Sequence, residues 1–203
     1  MFYKNEEGYI NLLKDTLNGE YKNTRNGNVF SQFGCMIKFD NISSSFPLIT
    51  TKKVFFRGIV EELLWFLRGS TDANELKDKN VNIWNGNSSR KYLDSVGLID
   101  FEEGELGPVY GWQWRMFGKK YISKKSRESR ESREENNIAV DQIKYVITEL
   151  LKENSRRAVL SAWNPVDLNI MALPPCHILY IFNKVIFSIS LINLKMVYVV
   201  ILL

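Results

Sequence analysis

An α+β fold, built as a mixed β-sheet with helices packed on one face, is the class this sequence predicts, and three observations predict it. Apolar residues recur at helical spacing in three segments, near residues 8–18, 54–68 and 138–151. Between them lie runs with the period-two alternation or β-branched content of strands, at 29–40 and 158–163. The chain of 203 residues, 45% hydrophobic and 25% charged, has the length and balance of one domain with a substantial core. That balance excludes a disordered tail and a small disulfide scaffold.

Taken in order, Ile10, Leu13 and Leu17 set the first helix and Gly19 is its stop. From Val29 to Asp40 the odd positions read Val29, Ser31, Phe33, Cys35, Ile37 and Phe39, the pattern of a half-buried strand that turns Cys35 toward the core. The segment Val54–Arg68 is the strongest helix, closed by Gly69. At about 100° per residue, Glu62 falls on the same side as Phe55, Ile59 and Phe66, while Glu61 points toward Arg57 and Arg68 on an ordinary ion-pair face. An acid on an apolar side must find a partner, become neutral with a raised pKa, line a polar cavity, or simply reach solvent at the helix end.

Residues 123–137 hold three copies of Ser-Arg-Glu and no apolar side chain, which reads as a solvated insertion. A third helix is expected over 138–151 through Val140, Ile143, Val146, Ile147 and Leu150, followed by the β-prone run Ala158–Trp163. From Val185 to Leu203 the only charge is Lys195. The stretch has the length of a membrane anchor, but Asn193 and Lys195 interrupt it and its Val, Ile, Tyr and Phe favour strands, so no membrane association is expected.

A formal charge of +4 does not require nucleic acid as a partner. The opening residues contain no apolar signal core, and the two cysteines build no disulfide framework, so a reducing, cytoplasmic location is the expectation. No glycine-rich phosphate cradle occurs, and the lone histidine follows Cys176 rather than forming a zinc-deaminase signature, so no metal is expected. Adjacent residues on a strand project to opposite faces, which argues against His177 serving as a base for Cys176. Arg156 and Arg157 could lower a thiol pKa and hold a phosphate, or could be solvated charges at a helix end, and Cys176 itself could be structural.

Five segments in order carry a family resemblance: Phe46–Lys53, Glu61–Gly69, Gly107–Arg115, Ser155–Pro165 and Met171–His177. Over about residues 8–182 the chain resembles thymidylate synthase. The resemblance implies a transferase that methylates dUMP to dTMP, with 5,10-methylenetetrahydrofolate as carbon donor and reductant, in a homodimer. It further implies Cys176 as the thiolate that adds to the uracil ring, with Glu62 and Tyr110 in the proton-moving network. Arg25, Arg156 and Arg157 match phosphate-binding positions, the last two reaching into a partner's site. Phe55, Ile83, Trp84 and Asn87 match positions that line the folate site.

The Arg25 loop looks one residue short for that family, and the loop before Arg156 is also shortened. After Phe182 the family's later phosphate, base and ribose motifs do not follow. The expected organisation is therefore a partial domain over 1–182 with the insertion at 123–137, then an apolar segment at 183–203 in a frameshifted or C-terminally truncated member. A deoxycytidylate hydroxymethylase-like enzyme and a non-catalytic remnant are the alternative readings.

Overall fold

Local signals place the elements in two compact units, Met1–Phe55 and Phe56–Val200. The structure, a computed structural model, describes residues 2–24, 27–40, 42, 44, 46–128, 138–188 and 191–199.

In the first unit β1 (Phe2–Lys4) runs into α1 (Asn5–Thr16), and β2 (Glu20–Thr24) pairs antiparallel with β3 (Gly27–Ser31). A short β4 (Met36–Lys38) lies parallel to β1. The single strand expected over 29–40 is thus two strands, because the chain bends at Gly34, whose φ of +79° suits glycine. The first helix starts and ends earlier than its apolar pattern predicts, with the Gly19 N–H donating back to the Thr16 carbonyl. Gly8 is the one buried residue among those described here, and Leu13, Leu17 and Phe33 are exposed. Cys35 is half-buried rather than core-facing. It lies just before β4, whose residues are exposed or half-buried.

The second unit holds the core. Helix α2 (Phe56–Arg68) stops at Gly69, which takes a φ of +77°. Short helices α3 (Asn74–Lys77), α4 (Asn85–Ser88) and α5 (Arg90–Ser95) follow, then α6 (Tyr110–Met116), α7 (Lys124–Glu128) and α8 (Gln142–Leu151). Strands β5 (Val159–Ser161), β6 (Leu179–Ser188) and β7 (Leu191–Val199) form an antiparallel sheet in that order. The fold is α+β, but the described strands make one parallel pair and two antiparallel sheets rather than one mixed sheet. Trp65, Leu76, Leu93, Leu106, Val109 and Leu160 are all almost fully buried in one core cluster.

One helix face and one helix boundary differ from expectation. The buried side of α2 is Gly58, Trp65 and Phe66, while Ile59 and Leu63 are 45% and 47% exposed, so Glu62 lies at the edge of the buried face instead of its middle. The last long helix begins at Gln142, because the Asp141 carboxylate accepts from the Lys144 N–H as an N-cap and Val140 is held in a bridge to Phe117. Residues 129–137 of the Ser-Arg-Glu repeat lie outside the described residues. The apolar C-terminal run forms strands where it is described, and no described helix is long and apolar enough to cross a membrane.

Candidate active site

The site grows from α2 and α6, whose aromatic residues pack directly. Phe66 meets Tyr110 with ring centroids 4.7 Å apart and Trp114 at 5.4 Å. Entry into α6 depends on Gly107, whose φ is +76° and where an added Cβ would come within 2.1 Å of the Ile170 carbonyl oxygen. No larger residue fits that approach, so Gly107 sets Tyr110 at the first position of the helix.

Buried amides hold the far side of α6. Gln113, which is fully buried, donates to the Pro108 carbonyl at 2.9 Å and to Asp167 Oδ2 at 2.7 Å. Asn164 donates to the same Asp167 oxygen at 3.0 Å, and Gln142 donates to the Gln113 and Ser161 carbonyls at 2.7 and 2.8 Å. Satisfied buried networks of this kind rigidify the elements they join, here α6, α8, β5 and the turn at 164–167. Sequence reasoning passed over all four residues, since the position of Gln113 between two tryptophans was the one visible sign.

On this frame Trp84 is buried, and its indole N–H donates to Glu62 Oε1 at 2.8 Å. Burial raises the Glu62 carboxyl pKa, and the Trp84 bond only partly offsets it. Trp84 also packs against Tyr110 with centroids 6.2 Å apart. The Tyr110 hydroxyl accepts from the Cys176 backbone N–H at 2.6 Å, and burial pushes its pKa up to about 12, so it stays a phenol at neutral pH. Cys176 is exposed, while the preceding Pro175, Met171 and Ala172 are buried and the Ala172 N–H is tied to the Leu106 carbonyl at 2.9 Å. A reachable thiol is thus presented from a firmly anchored segment.

Cys176 and His177 lie in a bend before β6, not on a strand as the sequence argument assumed. The imidazole stacks on the Tyr110 ring, 4.3 Å between centroids and 22° from parallel, and Tyr180 engages its Nδ1. Burial lowers the His177 pKa, so the ring is neutral at pH 7. Its place in the stack comes from contacts invisible in the motif.

The structure therefore brings together Cys176, Tyr110, Trp84 and Glu62. Ile83 beside Trp84 is 49% exposed, and Asn87 on α4 is half-buried. Arg156 and Arg157 are exposed where the chain enters β5. The register runs from Val159↔Ile181 to Ser161↔Leu179, so the arginines sit at the opposite end of the strand pair from Cys176. At about 3.3 Å per residue the path is on the order of 15–20 Å. Phe55 is half exposed in the first unit, and Arg25 lies outside the described residues. Among the described residues no three His, Cys, Asp or Glu side chains group as a metal site.

An exposed cysteine whose backbone is tied to a phenol, with a pKa-raised carboxyl reached through an indole, is a layout suited to nucleophilic addition coupled to proton transfer. The sequence pattern of the thymidylate synthase family matches residues 7–197, and the chain belongs to that family. It is 52% identical over 182 residues to a bifunctional dihydrofolate reductase-thymidylate synthase of Daucus carota, covering 87% of this chain and 33% of that protein. It is 50% identical over 171 residues to the bifunctional dihydrofolate reductase-thymidylate synthase 1 of Arabidopsis thaliana, covering 83% and 32%. A thymidylate synthase of Herpesvirus ateles is 47% identical over 177 residues, covering 86% and 58%. The chain spans about a third of the length of the plant proteins it matches.

Proposed function

We propose that this chain carries the nucleophile-bearing part of a thymidylate synthase site, which methylates dUMP to dTMP in nucleotide biosynthesis. The observation that supports the reading best is the Cys176–Tyr110–Trp84–Glu62 arrangement. The Cys176 thiolate adds to C6 of the uracil ring, making C5 a carbon nucleophile, which direct removal of the poorly acidic C5 proton could not achieve. Glu62, whose carboxyl pKa burial raises, relays protons to and from the base, and Tyr110 holds the cysteine backbone in place. When bound, 5,10-methylenetetrahydrofolate supplies both the one-carbon unit and the hydride, leaving as dihydrofolate.

The exposed Ile83 and the Asn87 amide offer the apolar and polar surface a folate needs, and Phe55 is assigned to the same ligand. Trp84, with its N–H committed to Glu62, would contribute packing rather than a free hydrogen-bond donor. Arg25, Arg156 and Arg157 are assigned to the dUMP phosphate. Because the last two lie far along the strand pair from Cys176 in their own chain, they serve the partner's site in a homodimer. No metal takes part, and the protein acts in the cytoplasm.

Tritium release from C5-labelled dUMP in the presence of the folate tests the activity, with labelled dCMP as the competing substrate. Little or no release is expected from the chain as written, and release from dUMP alone once the later phosphate, base and ribose motifs are restored. In the restored chain, release from dCMP instead would favour a hydroxymethylase, and release from neither would refute the assignment. Mixing inactive Cys176→Ser and Arg156→Ala chains tests the dimer: recovered activity places the arginine in the partner's site, and no recovery places it elsewhere.

A further inference from the structure

His177 is held on three sides by aromatic rings. Its face stacks on Tyr110, Phe66 packs at 6.1 Å between centroids, and Tyr180 stands edge-on at 5.7 Å and 75°. Of these rings Tyr180 also makes a polar contact, its hydroxyl with His177 Nδ1. Tyr180 is itself fixed: it is 8% exposed, it pairs with Leu160 in the sheet, and its ring meets Trp114 at 5.4 Å and 88°. The side chain cannot swing away without breaking the core.

We infer that Tyr180 is a positioning residue that locks His177 in the Nε2–H tautomer, with Nδ1 occupied as acceptor. A neutral imidazole has one donor and one acceptor nitrogen, and the partner of one decides the role of the other. A phenol O–H is a stronger donor than an imidazole N–H, and the pyridine-type nitrogen is a stronger acceptor than a phenol oxygen, so the hydroxyl donates. The ring then offers Nε2–H as a hydrogen-bond donor beside Cys176, and its basic nitrogen is unavailable to the thiol. The inference concerns the ground state of the site and stands whether or not the proposed methylation is right.

His177 is the only histidine in the chain, so one pair of ring nitrogens reports on it. Long-range ¹H–¹⁵N correlation spectra of histidine-labelled protein at pH 7 should show Nδ1 as an unprotonated, pyridine-type nitrogen and Nε2 as protonated. In Tyr180→Phe, which removes only the hydroxyl, the two shifts should move toward each other as the tautomers mix. An Nδ1–H tautomer in the unmodified chain, or an unchanged spectrum in Tyr180→Phe, would overturn the inference. Should that variant fail to fold, the unmodified chain still decides: a correlation across the hydrogen bond from a tyrosine hydroxyl proton to Nδ1 is expected, and its absence overturns the inference.

Discussion

Replacing Glu62 by glutamine should change little of the structure and, on the proposed function, most of the chemistry. The amide oxygen can still accept the Trp84 indole N–H, now held at 2.8 Å, and the side-chain volume is conserved. What disappears is a titratable proton beside the Trp84 indole. Removing a positioned acid or base typically slows a reaction about 10²–10⁴-fold, equivalent to about 3–5 kcal/mol in the barrier. Glu61→Gln is the matched control, since Glu61 pairs with Lys79 at 2.6 Å near the surface and that bond holds its carboxyl below the usual range. Losing it should leave turnover within a small factor of the parent.

Stability supplies a second, independent reading of Glu62. Its folded pKa lies above the ordinary 4.5, so the folded protein takes up the proton more readily than the unfolded one. The stabilising contribution is fully present below pH 4.5 and is lost as pH rises through the folded pKa. Glu62→Gln removes that dependence, so urea midpoints of variant and parent should diverge in the variant's favour as pH climbs from 4 to 7. Tritium release at pH 7 and the two sets of midpoints are the assays. Equal rate losses at Glu61 and Glu62, or a midpoint difference that ignores pH, would refute the reasoning from burial.

With the later family motifs restored, Cys176→Ser should abolish covalent capture of 5-fluoro-dUMP with folate, read by mass spectrometry, while Cys35→Ser should leave capture intact because Cys176 is the exposed thiol and Cys35 is half-buried. Tyr110→Phe removes the acceptor of the Cys176 N–H and should lower stability by about 1 kcal/mol, measured as a shift in urea midpoint at constant m. His177 has a folded pKa below its ordinary 6.5, so its stability contribution is present above pH 6.5 and lost as pH falls through the folded value. His177→Phe, which keeps a ring on Tyr110, should flatten the fall in melting temperature over that acid window.

The sequence by itself determined the family and much of the local structure. Helical spacing distinguished Glu62 from Glu61, glycine marked the end of α2, and the order of motifs identified the family, because each of these is written in neighbours along the chain. It did not determine which apolar stripes would be covered. Leu13, Ile59 and Phe33 have the right periodicity yet remain exposed, since spacing shows a face and not what packs on it. The clamp on His177 joins Tyr110 to residues 67 to 70 positions later, and the Gln113–Asp167 bond spans 54. Such contacts are fixed only when the sheet and helices close on one core. Strand register likewise decided that Arg156 and Arg157 stand away from Cys176 within one chain. Motif spacing carries no information about that distance, because an antiparallel turn can bring residues together or hold them a full strand apart.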